Sequence, residues 1–280
     1  MQASYDDRDA LRSIVDSEKP DWLYHVAGVT KGVGYEDFWR GNVMPTANLL
    51  WALREAHPDV KRFVHVSSLA AFGPSTAHRP LREDDPRRPV EHYGRSKLEA
   101  EQVVEDEPVV PWTIVRPAAV YGPGDVDYFE LFKITRRRLN LFYGNRDKPK
   151  SVIYVDDCVD AIVRAASADA AIGQGYFLCD GEPLTWERFQ ELLVEHLGKR
   201  VVTVNLPGAL LRVVGEAGEL ASKVDGKARL FNKQKAIMGL QDAWTCSGDK
   251  AAKEIGFEAK IKPREGVRLT DEWYEREGWY

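Results

Sequence analysis

Short β-prone apolar runs alternate along this chain with segments of helical periodicity. The run Trp22 to Gly28 (Trp-Leu-Tyr-His-Val-Ala-Gly) ends in glycine, and Arg62 to Ser68 and Trp112 to Arg116 have the same character, the last stopped by Pro117. Such runs are too short for buried helices and too continuous for half-solvated strands, so they read as strands of a parallel sheet covered on both faces. Between them lie helical patterns. Asp9 to Ser17 places Leu11, Ile14 and Val15 on one face, with Asp7 or Asp9 as cap. Asn42 to His57 turns Leu49, Leu50 and Leu53 inward, admits Pro45 in its first turn and is ended by Pro58. A polar, proline-rich stretch from Pro74 to Pro89 reads as a surface excursion, and Tyr93 to Glu105 as a helix. A fourth strand is expected at Val152 to Val155, leading into a helix from Asp156 to Ala168.

After Gly175 the rhythm changes. One more strand is expected at Tyr176 to Cys179, a helix from its cap Thr185 to Leu197, a strand at Val201 to Leu206, and two helical stretches in the tail. The fold class is α/β: a doubly wound parallel sheet with a smaller mixed α+β region closing over its ligand edge.

The 280 residues carry 39 basic and 44 acidic side chains, a formal net charge of −5. Scattered bases on an acidic chain argue against a nucleic-acid groove. The sole basic run, Arg136 to Arg138, reads as a solvated helix face, with a phosphate contact as the alternative. The three cysteines, Cys158, Cys179 and Cys246, have no spacing that suggests a disulfide frame or a metal site, and are expected to be idle thiols in a reducing compartment. No apolar run reaches the ~18 residues of a membrane span, and the acidic start is unlike a signal peptide, so a cytoplasmic, soluble protein is the default expectation.

Chemistry concentrates at Tyr93-Gly-Arg-Ser-Lys97. Residues four apart share a helix face, so the Lys97 ammonium is expected beside the Tyr93 phenol, favouring its phenolate and letting it move a proton near neutral pH. Ser68, at the end of the second strand, stands where parallel sheets bind ligands; a hydroxyl that caps its own loop is the plainer alternative.

With these residues stand His25-Val-Ala-Gly28, Asn42 to Leu50, Val64 to Ser68 with Phe72-Gly73, Arg116 to Pro123, Val155-Asp-Asp157 and Glu254 to Phe257. In this order they resemble the extended short-chain dehydrogenase/reductase family, also called the NAD-dependent epimerase/dehydratase family. The resemblance implies a Rossmann-like fold, NAD or NADP as cofactor and a small-molecule substrate. It makes Tyr93 the catalytic acid/base. Lys97 lowers the Tyr93 pKa and holds the nicotinamide ribose, and Ser68 stabilises the substrate oxygen. Ala27, Gly28, Ser67, Pro117 and Val120 would line the cofactor. Asn42 corresponds to the family's helix asparagine, with a plain helix cap as the alternative. A homodimer through Asn42–His57 and Tyr93–Glu105 is implied by analogy. Residues 1–116 and 150–178 would form the cofactor domain, and 117–149 and 179–280 the substrate region.

Two departures shape the expectations. The family's opening strand and Gly-x-x-Gly-x-x-Gly loop find no match, and the first strand here aligns with the family's fourth. The fold is therefore expected to be N-terminally truncated by roughly 60 residues, about two βαβ units, with an open sheet edge. Sugar-nucleotide members carry asparagine and arginine where this chain has Ala119 and Lys150. That favours an oxidoreductase interconverting a secondary alcohol and a ketone, in a hydroxysteroid-dehydrogenase-like or reductase-like branch. The alternatives are a sugar-nucleotide epimerase/dehydratase and a non-catalytic relative that binds no cofactor.

Overall fold

The computed structural model describes residues 3–225 and 233–280. The chain opens with α1 (Arg8–Glu18), capped by the Asp7 carboxylate on the backbone N–H of Ala10, and β1 (Trp22–His25). A single helical turn, α2 (Tyr35–Phe38), runs through a π-turn (Trp39–Val43) into α3 (Met44–Ala56), with Pro45 in its first turn. Next come β2 (Arg62–Val66), a 3-10 turn (Leu69–Ala71), α4 (His92–Glu105), β3 (Trp112–Pro117), β4 (Ala119–Tyr121) and α5 (Val126–Arg136). The chain continues through β5 (Leu139–Tyr143), β6 (Pro149–Lys150), β7 (Val152–Tyr154), α6 (Val155–Ser167), β8 (Gln174–Leu178), β9 (Leu184–Thr185) and α7 (Trp186–Leu197). It closes with β10 (Val202–Leu206), α8 (Gly208–Asp225), α9 (Lys233–Leu240), α10 (Asp249–Ile255) and α11 (Pro263–Arg276).

The main sheet has the order β1-β2-β3-β8, all parallel. Side chains alternate across it. Phe63 and Ile114 face one layer with Leu11, Leu50 and Leu53 of α1 and α3. Val64, Val115, Tyr176 and Leu178 face the other, with Ala161, Ala165 and Ala251 of α6 and α10. Both faces are covered at β2 and β3, as their continuous apolar runs require, and the fold is Rossmann-like. A third, aromatic cluster around Tyr121, Phe132, Phe189 and Tyr274 forms the core of the smaller region. Among the described residues β1 pairs only with β2, and its Trp22 and Tyr24 are 42% and 39% exposed.

Several sequence expectations need correction. Val152 to Tyr154 is a strand, but it pairs with β4 in a separate two-stranded sheet; β8 takes the fourth place in the main sheet. The third strand does end at Pro117, which is its last residue and pairs with Leu178, the last of β8. Asn42 sits in the π-turn and not at a helix cap. Among the described residues four helices follow residue 206, not two. Arg136 is no solvated residue: its guanidinium bridges Asp271 and Glu275 and lies 4.0 Å from the Tyr280 ring centre.

Candidate active site

The C-terminal ends of β1 and β2 and the start of α4 converge on one recess. Beyond β2, Ser68 accepts a hydrogen bond from Ala70 N at 3.2 Å and so caps the 3-10 turn. The same side chain lies close enough to the Tyr93 phenol to oppose the rise in its pKa. Close packing brings the two segments into reach. A Cβ at Gly94 would stand 2.3 Å from Ala70 O and 2.7 Å from Glu91 Oε1, so only glycine lets α4 settle against the Ser68 turn.

Glu91 is a residue that sequence reasoning missed. Its carboxylate N-caps α4, accepting from Tyr93 N at 2.6 Å and Gly94 N at 2.5 Å, and it is buried. Glutamate is outside the usual N-cap set, so its place one residue before the helix was the only available signal. Burial raises its pKa, partly offset by the two backbone donors.

The Tyr93 phenol is raised above its ordinary pKa by burial, with Glu91 adding to the rise and Ser68 opposing it. Lys97 lies one turn further along α4. Its ammonium donates to Val66 O at 2.7 Å, and burial lowers its pKa to about 8 against the opposing field of Glu101. The structure thus places Tyr93 and Lys97 on one helix face, as their spacing requires, with the phenol shifted upward and not toward phenolate.

Asn42 ties the recess together. Its Oδ1 accepts from Val29 N at 2.8 Å, and its Nδ2 donates to Val29 O at 3.0 Å and Ser96 Oγ at 2.8 Å. Ser96 Oγ in turn donates to Tyr93 O at 2.8 Å. One side chain therefore braces the loop after β1 against the helix that carries Tyr93. Gly28 lies against it: a Cβ there would stand 2.7 Å from Asn42 Oδ1 and 3.9 Å from Lys97 Nζ.

The recess fits the nicotinamide-ribose end of NAD. The ammonium of Lys97 has three donors, of which one is taken by Val66 O. The Ser67 hydroxyl is buried without a partner, and Ala27 and Gly28 present exposed backbone. Spare donors, an orphan hydroxyl and unobstructed backbone suit a pair of ribose hydroxyls. Pro117 ends β3 and Val120 lies in β4; neither is among the side chains lining the Tyr93 cavity. That cavity, about 260 Å³, is lined by Tyr93 and Glu91 together with Thr30, Phe38, Asp125 and Met238.

Comparison with known proteins identifies the family. The model described as NAD dependent epimerase/dehydratase family matches residues 1–178. A 4-hydroxy-2-methyl-3-oxo-4-farnesyl-3,4-dihydroquinoline-1-oxide ketoreductase of Stigmatella aurantiaca is 30% identical over 258 residues, covering 88% of this chain and 75% of its own. Short-chain dehydrogenase/reductase family 42E member 1 of Bos taurus is 29% identical over 264 residues, covering 85% of this chain and 65% of its own. The structure of UDP-glucuronic acid 4-epimerase from Bacillus cereus, solved with UDP-glucuronic acid and NAD, superposes with a TM-score of 0.78 at 20% identity, over 99% of this chain and 81% of that one. At that identity the likeness speaks for the fold. The chain belongs to the NAD dependent epimerase/dehydratase family, within the extended short-chain dehydrogenases/reductases, and is an NAD-dependent enzyme of that family.

Proposed function

We propose that this enzyme reduces a ketone to a secondary alcohol, with Tyr93 as proton donor, Ser68 as the hydrogen-bond donor to the reacting oxygen and Lys97 as the holder of the cofactor ribose. NAD, when bound in reduced form, supplies the hydride. Everything else falls to the chain's own residues. A carbonyl seated against Ser68 gains negative charge on oxygen as it is reduced, and a fixed hydroxyl donor stabilises that charge. The phenol then gives up its proton. A phenol raised by burial is fully protonated at neutral pH, which suits an acid and so supports the reductive direction. The division of labour proposed is residues 1–116 and 150–178 for the cofactor, and 117–149 and 179–280 for the substrate.

The observation that carries the alcohol/ketone reading over a sugar-nucleotide one is the surroundings of Lys150. Its ammonium is turned into an aromatic cage, 3.6 Å from the Trp186 ring centre and 4.6 Å from that of Phe189, and it donates to Tyr128 Oη at 3.2 Å. Burial holds its pKa well below the usual lysine value. Such an amine is a poor partner for a diphosphate. The cavity beside it, about 280 Å³, has Trp186, Trp244 and Leu211 in its walls and shares Lys235 and Met238 with the Tyr93 cavity. An elongated ketone with its carbonyl end in the polar Tyr93 chamber and an apolar tail against Trp186, Trp244 and Leu211 suits the two, and the relative from Stigmatella aurantiaca is by name a ketoreductase of a farnesyl-bearing substrate.

The test follows absorbance of added NADH or NADPH with apolar ketones and with UDP-sugars. Stoichiometric oxidation with a ketone, abolished in Tyr93→Phe, is expected. Turnover of a UDP-sugar without net change in NADH would replace this reading by epimerisation, and full turnover by Tyr93→Phe would remove the acid.

A further inference from the structure

A second, larger cleft of about 640 Å³ is walled by the 78–82 stretch, the residues after β8 and the 246–262 stretch, and shares no lining residue with the Tyr93 cavity. At its base lie Cys179 and Cys246. Cys179 directly follows β8. Cys246 belongs to a segment that runs beside Leu81 and, through Trp244, beside Lys150. The two cysteines are 67 positions apart, yet the Cys179 thiol donates to the backbone oxygen of Cys246 at 3.5 Å. Both are buried, with only a few per cent of their surface exposed, but the cleft gives them an opening to solvent.

We propose that Cys179 and Cys246 form a reversible redox dithiol, which a hydroperoxide entering this cleft converts to a disulfide joining the end of β8 to the 243–246 segment.

The chemistry balances with the peroxide as oxidant. The Cys179 sulfur attacks one peroxide oxygen, the O–O bond breaks, and the other oxygen leaves as alcohol or water after protonation. The Cys246 sulfur then attacks the sulfenic sulfur of Cys179, forming S–S and expelling a second water. Two thiols lose two electrons, which the peroxide accepts. The pair is polarised for these separate roles. Hydrogen bonds from Cys246 and from the backbone N–H of Gly181 hold the Cys179 thiol below its ordinary pKa against the effect of burial, whereas Cys246 is pushed well up. The thiolate is the nucleophile and needs access; Cys179, 4% exposed against 1% for Cys246, is the more open of the two, so it reacts first and Cys246 resolves. Cys158 is an internal control. It is buried in the α6 layer of the core, and burial pushes its thiol up to about 12.

The full chain is treated with stoichiometric hydrogen peroxide, then alkylated under denaturing conditions and mapped by mass spectrometry, with and without dithiothreitol. The expected result is a cross-linked pair of peptides bearing Cys179 and Cys246, lighter by two hydrogens and restored by the reductant. Only Cys158 should remain alkylatable. Cys158→Ser should behave as the parent, and Cys246→Ala should carry oxidation on Cys179 without any cross-link. Three alkylatable thiols after treatment, a cross-link involving Cys158, or oxidation of parent Cys179 without a cross-link would each overturn the proposal. The parent protein alone decides the matter, so a poorly folding variant does not protect it.

Discussion

Replacing Glu101 by glutamine tests whether the catalytic helix is held by charge. Glu101 lies one turn beyond Lys97, fully buried, and faces Arg116 of β3 through three contacts of 3.0, 3.1 and 3.0 Å. Arg87 approaches the same carboxylate at 3.2 Å. Glutamine keeps the shape and removes the charge, leaving Arg116 buried with Glu105, 3.8 Å away, and the more distant field of Glu83 as compensation. Breaking a buried pair from one side costs about 3–5 kcal/mol. With an unfolding entropy of about 2.1 cal/mol/K per residue, 280 residues give about 0.6 kcal/mol/K, so the unfolding midpoint should drop by about 5–8 °C. Circular dichroism melting measures this directly. The paired substitution Glu101→Met with Arg116→Met leaves no lone charge and should recover most of the loss. Glu101 also supports the ammonium of Lys97, so the single variant should bind NADH more weakly at pH 8 than at pH 7, and the parent should show a smaller difference. A single variant that melts within about 1 °C of the parent, or a double variant no better than the single one, would show that the pair carries no such energy.

Other expectations concern the recess and its surroundings. Gly94→Ala forces α4 off the Ser68 turn, and a displacement of about 1 Å should lower kcat/KM about 100-fold with the fold intact; unchanged kinetics would mean that the Ser68–Tyr93 approach is not needed. Asn42→Ala leaves Val29 and Ser96 without their partner and should cost about 1–3 kcal/mol in denaturant unfolding, together with activity. His25 is buried against Thr46 and its pKa is lowered from 6.5 to about 4, chiefly by burial, with Lys97 adding to it. A base depressed in the folded state contributes stability that is present above its unfolded pKa and drains as pH falls toward the folded value. Between pH 6.5 and 4 the parent should therefore lose up to about 3 kcal/mol more than His25→Asn, and parallel stability curves for the two would contradict that assignment.

What could be read from the sequence was what depends on local spacing. Tyr93 and Lys97 share a face because four residues make one helical turn, and β2 and β3 declared themselves because both their faces are buried. A strand does not declare its partner. Val152 to Tyr154 has the same apolar signature as Trp112 to Arg116, yet it pairs with β4, because the chain leaves the main sheet at Ala118 and returns to it only at Gln174. The supports of the site were hidden for a related reason. Asn42 meets Ser96 across 54 residues, and Arg136 meets Asp271 across 135; at such separations nothing in composition or period distinguishes a braced polar side chain from a solvated one. Glu91 shows the limit most sharply. In an isolated peptide glutamate is a weak cap, because water serves its carboxylate as well as two backbone N–H groups do. Once α4 packs on the 3-10 turn, water is excluded from that end, and a charged acceptor becomes the stronger partner for the orphan N–H groups of the helix. The cap therefore follows from the tertiary contact that Gly94 permits, and the same contact sets Tyr93 beside Ser68. Cap and catalytic geometry should consequently fail together: Glu91→Ala should lower kcat and shift the alkaline limb of ketone reduction downward, since the carboxylate also raises the Tyr93 pKa. A Glu91→Ala enzyme with reduced stability but the parent's pH profile would separate the two roles and refute the coupling.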